Sequence, residues 1–287
     1  MAAHEPLNRA ALASALEFHR QIGVDLALDD APHDRYAESA RSPATVASQA
    51  QAAPLAPAPD FVPAAREARP ATVRPATQPL LAAQAGQIAA SAAEQAAQAE
   101  TLEDLRARLE AFEGCALKAT ATQLVFEDGA RDARICFVGE APGAEEDRAG
   151  RPFVGRAGQL LDRMLGAVGL DRSKVYIANM VPWRPPGNRD PSPEELALCT
   201  PFLIRQVELV APKFLVTLGN VPTKSLFQTA NGITRMRGQW KELEVGSHRV
   251  RSLATLHPAY LLRTPASKAL AWKDMLSLRQ AIEAENN

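Results

Sequence analysis

Four short apolar runs, separated by stretches of helical spacing, limit the folds open to this chain more than any other feature. They are residues 133–139 (ARICFVG), 174–181 (KVYIANMV), 213–219 (KFLVTLG) and 249–255 (RVRSLAT). Runs this short and this apolar suit strands buried on both faces, as in a parallel sheet. Between them, Leu160, Leu161, Met164 and Leu165 fall on one side of a helix over 158–168. A second helix is expected over 193–210, entered through Asp190-Pro-Ser-Pro-Glu-Glu with Ser192 as N-cap. A third closes the chain from Ser267 to about Glu283. Strands alternating with helices predict an α/β fold of three layers, α/β/α, around a central four-stranded parallel sheet. Ligands in such folds sit beyond the carboxyl ends of the strands, so the residues just after each run are where chemistry is expected.

The first hundred residues read differently. Residues 41–100 hold 22 Ala and 8 Pro, with Phe61 as the only aromatic. Such a stretch has little to bury against the entropy of ordering it, so a disordered linker is expected over 31–100, with Ala82 to Ala99 able to flicker into helix. Ahead of it, Leu7, Ala10, Leu12, Leu16 and Phe18 suggest a short helical element within residues 1–30. Thr101 reads as an N-cap with an acid three residues on, and Leu102, Leu105, Leu109 and Phe112 follow at helical spacing, so the folded domain is expected over 101–287. Charge divides at the same place. Residues 1–113 carry 9 Lys/Arg against 15 Asp/Glu, and residues 114–287 carry 23 against 18, so an acidic tail precedes a mildly basic domain although the whole chain is at −1.

Three cysteines, Cys115, Cys136 and Cys199, are too few for a disulfide framework, and the odd count suits a reducing compartment. No window is apolar for long enough to span a bilayer, and the acidic, polar N-terminus is not a secretory signal. A cytoplasmic protein with no membrane partner is expected.

The strand ends carry an ordered set of motifs. After the first run comes GEAPGAEED (139–147), then GRPFVGRAG (150–158); the second run contains Asn179 and leads into WRPPGNRDP (183–191); the fourth delivers HPAYLLR (257–263). Five glycines between 139 and 158 allow backbone to approach a ligand closely. In this order the motifs resemble the uracil-DNA glycosylase superfamily, most nearly the branch called family 4, over roughly residues 115–282. The resemblance implies an enzyme that flips uracil out of DNA and hydrolyses its N-glycosidic bond, with uracil-containing DNA as partner and the chain acting as a monomer. It also implies roles. Phe153 would stack on the flipped base. Asn179 would read its edge, since a carboxamide offers both donor and acceptor. His257, with backbone N–H groups of the 139–143 loop including Ala141, would stabilise the departing uracil anion. A carboxylate would orient the attacking water. Many superfamily members place an Asp or Asn where this chain has Ala141, so that role falls to Glu140, Glu146 or Asp147, with Glu140 first because it leaves the strand directly. Leu261 and Leu262 would sit at the tip of a wedge into the DNA stack, with at least one of them expected to pack inward, and Arg184, Arg189, Arg156 and Arg263 would form a basic rim facing phosphates.

The pattern also breaks. Family 4 members resemble one another in four cysteines that hold a [4Fe–4S] cluster, and the matching positions here are Cys115, Lys118, Trp183 and Cys199. No metal and no cofactor are therefore expected, with Cys115 and Cys199 as buried packing residues beside Trp183. The His-containing loop of the branch that traps uracil covalently is absent. Two alternatives stay open: a glycosylase of broader deaminated-base scope, and a catalytically silent DNA-lesion-binding module of the same fold.

Overall fold

A computed structural model describes residues 78–286 of the chain, with side chains described from 86 to 285. The short helical element expected within 1–30, and the linker from 31 to 77, lie outside the described residues.

All four apolar runs become strands, and they lie side by side in parallel. In chain order the strands are β1 (Asp128–Gly129), β2 (Ile135–Gly139), β3 (Tyr176–Asn179), β4 (Phe214–Leu218), β5 (Trp240–Val245) and β6 (His248–Thr255). The sheet order is β1-β3-β2-β4-β6-β5, with β3, β2, β4 and β6 parallel and the two edge strands antiparallel. The expected four-stranded sheet is thus the centre of a six-stranded one. Strand β5 (WKELEV) escapes an apolar-run search because this edge strand is mostly solvent-facing. Its signal is instead a hairpin: Val245 pairs with His248 across Gly246-Ser247, and Gly246 adopts φ 63°.

Alternation along the central strands divides the core into two layers. Cys136 and Val138 of β2 pack with Phe202, Leu203 and Val207 of the Pro193–Val210 helix. Ile135 and Phe137 point the other way, onto Leu161 and Leu165 of the Arg156–Ala167 helix and Met275 and Leu278 of the Lys268–Asn286 helix. The Pro193–Val210 helix starts where the capping residues say it should. Ser192 Oγ accepts from Glu195 N at 3.2 Å, and Glu195 returns the bond to Ser192 N at 2.7 Å.

Residues 78–100 overturn part of the linker expectation. Gln78–Ala97 is helical and packs on the Pro193–Val210 helix, with Ala92, Ala96 and Ala99 buried. Arg205 from that second helix donates from Nε (2.9 Å) and Nη2 (2.7 Å) to the carbonyl of Ala99. Alanine content here reflects close helix approach rather than lack of structure, so the folded unit begins before Thr101. Thr101 does cap the next helix, Leu102–Ala111. Among the described residues no helix is long and apolar enough to cross a membrane.

Candidate active site

The carboxyl ends of β2, β3, β4 and β6 open into one cleft of about 520 Å³, within the range of small-ligand sites. Glu140, Ala141 and Gly143 line it from the loop after β2, Asn179 from the end of β3, Asn220 from beyond β4, and His257 and Arg263 from beyond β6. The floor is tight. Gly139 and Asn179 are register neighbours on adjacent strands, and a Cβ at Gly139 would stand 2.4 Å from Asn179 Oδ1 and 2.6 Å from Phe153 Cζ. A side chain where β2 ends would therefore push against both cleft residues. Asn179 is buried yet lines the cleft, and its carboxamide has no hydrogen-bond partner among the described residues. Its amide is thus left open to whatever enters the cleft.

Phe153 adopts φ 55°, which a bulky residue rarely takes, and the surrounding chain holds it there. Arg172 donates to the carbonyls of Pro152 (3.2 Å) and Phe153. Gly158 makes room, since a Cβ there would come within 1.6 Å of the Phe153 carbonyl oxygen. The turn swings the Phe153 ring over the cleft, with its centroid 5.5 Å from that of His257 and the planes inclined by 32°. Phe153 is thus both core and cleft wall.

His257 caps the Pro258–Arg263 helix, its Nδ1 accepting from Ala259 N at 3.1 Å. That bond leaves the imidazole proton on Nε2. Burial, and then the charge of Arg263, lower its pKa to about 4, with Glu146 partly offsetting them. At neutral pH the ring is an uncharged donor.

The three acidic candidates have separate fates. Asp147 is buried away from the cleft, its carboxylate accepting from Thr122 N and Oγ1, both at 2.8 Å, and from Gln123 N at 3.3 Å. Glu146 lines the cleft, but its oxygens accept from Gly143 N (3.1 Å), Val154 N (3.0 Å) and Gly155 N (2.8 Å). It ties the loop after β2 to the turn that carries Phe153, and it takes the Gly143 N–H out of the 139–143 donor set. Glu140 makes no such bonds. Burial raises its pKa to about 7, with the adjacent Asp190 carboxylate adding to the shift. Of the three acids, Glu140 alone lines the cleft without accepting hydrogen bonds from the backbone.

The outer candidates fare unevenly. Leu261 is 1% exposed and packs with Leu160, Leu256 and Ala271. Leu261 is thus the leucine of the pair that packs inward, because the helix after His257 turns that side to the core. Leu262 is half-buried and Arg263 is exposed at the rim. Arg184 donates to Asn188 Oδ1 at 2.7 Å. Arg189 is exposed but ion-paired, with Nη1 and Nη2 at 2.8 and 2.6 Å from Glu195. Arg156 is exposed outside the cleft lining. Asp190, Asn220 and Ile233 line the cleft without having been singled out in the sequence. Asn220 directly follows the third apolar run, so the strand-end rule would have reached it.

At the expected cluster position, Cys115 and Cys199 are buried with Sγ atoms 4.0 Å apart, and Trp183 is buried in the same layer. The hydrogen bond from Cys199 brings the Cys115 thiol down to about 7. Lys118 Nζ donates to the Glu110 carbonyl at 2.6 Å and pairs with Glu113. Two thiols, an ammonium and an indole do not fit a group that needs four thiolates.

Known proteins share sequence with this chain across the domain that carries the cleft. The sequence model of the uracil DNA glycosylase superfamily matches residues 126–276. A Type-4 uracil-DNA glycosylase of Archaeoglobus fulgidus is 41% identical over 170 residues, which cover 58% of this chain and 85% of that protein. Those of Thermotoga maritima (42% over 174 residues, 59% and 87%) and Sulfurisphaera tokodaii (39% over 189 residues, 63% and 84%) are similar to the same extent. The chain belongs to the uracil DNA glycosylase superfamily.

Proposed function

We propose that this protein is a monofunctional uracil-DNA glycosylase that flips uracil from DNA and hydrolyses its N-glycosidic bond, leaving an abasic site. The observation that carries this is the convergence of the Phe153 ring, the unpartnered Asn179 amide and the neutral His257 on one strand-end cleft. An extruded base entering there stacks on Phe153. Asn179 donates to uracil O4 and accepts from N3–H, a pattern that cytosine cannot match. As the glycosidic bond breaks, its electron pair leaves with uracil, and His257 Nε2–H donates to O2, where negative charge gathers. Water adds to C1′ and passes its proton to Glu140, whose charge also offsets the cationic sugar. Leu262, Arg263 and the 184–189 loop face the flanking DNA.

Three unpaired cysteines and a cleft completed within one chain suit a monomer acting in the cytoplasm. The test is incubation with a uracil-containing oligonucleotide followed by alkali. Strand scission is expected for the wild type, with Asn179→Asp losing preference for uracil over cytosine. A shifted but uncleaved band would make the protein a silent lesion binder instead.

A further inference from the structure

Three carboxyl groups face the cleft, and one of them belongs to a residue without a role so far. Asp190 enters from the loop that follows β3 and Glu140 from just after β2, with their side chains close enough to interact. Its neighbours leave its charge uncompensated. Arg189, next in the chain, spends its guanidinium on Glu195 and on the Asp190 backbone carbonyl (3.0 Å). Arg184 is held by Asn188. Glu146, the third carboxylate, is fixed by three backbone N–H groups. From the Pro258–Arg263 segment, Arg263 lies beside His257, whose ring is neutral at working pH. Among the described residues, Glu140 and Asp190 therefore remain as two adjacent carboxyl groups with no cation between them.

We propose that Asp190 is a positioning residue that works with Glu140 as a proton-sharing carboxyl pair and sets the pH above which Glu140 can hold the attacking water. The proposal rests on the role given to Glu140 under Proposed function. Like charges this close do not both ionise readily, so one proton is retained between them. Glu140 keeps that proton and donates it to Asp190, in line with its pKa near 7. In that state Glu140 cannot accept a proton from water. When the proton leaves, Glu140 takes one from water as oxygen bonds to C1′ and uracil departs with the glycosidic electron pair. Both carboxylates then face the sugar as it becomes cationic.

The experiment is single-turnover excision on one uracil oligonucleotide at saturating enzyme, from pH 5 to 9, for wild type, Asp190→Asn and Glu140→Gln. Wild type should gain activity through a limb near 7. Asp190→Asn keeps the shape and a hydrogen-bonding group but removes the like charge, while burial of Glu140 persists. Its limb should move down by about one unit, a roughly fivefold gain at pH 6 relative to wild type when each is scaled to its own plateau. Glu140→Gln should be slow and lack the limb. A limb absent from Glu140→Gln but unmoved in Asp190→Asn overturns the pairing and leaves the Glu140 role standing. A limb that survives Glu140→Gln overturns both. A merely structural Asp190 could lower the plateau but would leave the limb where it is.

Discussion

Replacing His257 by asparagine separates two functions that one ring performs. Nδ1 caps the Pro258–Arg263 helix through Ala259 N at 3.1 Å, and Nε2–H is left for the leaving group. Asparagine is among the best N-cap residues, so His257→Asn should keep the cap. Its side chain is shorter and lacks the Nε2 donor. Losing one donor of this kind costs about 2.7–4 kcal/mol of transition-state stabilisation, a fall of about 10²–10³ in rate. His257→Ala should slow excision as much and also lose the cap, at about 1 kcal/mol. For a domain of this size that is a fall in Tm of about 2–4 °C. The assay is single-turnover cleavage beside thermal unfolding for both variants. pH gives a second check. Because the folded-state pKa of about 4 lies below the ordinary 6.5, the unfolded chain takes up the proton first. The contribution of His257 to stability is thus complete above about pH 6.5 and is lost as pH falls through about 4. No activity limb between pH 5 and 9 should come from this ring. Excision by His257→Asn within a few-fold of wild type would falsify the leaving-group role.

Glu146→Gln should lose charge assistance to three backbone N–H bonds and set an amide N–H against one of those donors, lowering stability by about 2 kcal/mol as well as activity. Chemical denaturation checks this, and an unchanged midpoint would contradict it. Truncation should divide at the Gln78–Ala97 helix: a chain starting at Gln78 keeps the wild-type unfolding midpoint, whereas one starting at Thr101 exposes the helix-facing side of 193–210 and unfolds earlier. Equal midpoints would return residues 78–100 to linker status. Purified protein should be colourless and free of stoichiometric iron, which metal analysis and a visible spectrum would reveal.

Local signals reach about one helical turn or one strand, and within that range the chain was legible. Apolar runs of the right length marked the four central strands, Ser192 and Thr101 marked helix starts, and the strand-end rule with the motif order marked Phe153, Asn179 and His257. These assignments need no knowledge of distant partners. The choice among Glu140, Glu146 and Asp147 does. All three are acids in one octet, and only the fold delivers Val154 and Gly155 N–H to Glu146 and Thr122 to Asp147, leaving Glu140 beside Asp190. Leu261 and Leu262 are adjacent and identical in type, and helix rotation alone buries the first. The alanines at 92, 96 and 99 look like low-complexity sequence until another helix lies against them. Composition measures what a segment could bury by itself, whereas tertiary structure supplies the surface that buries it.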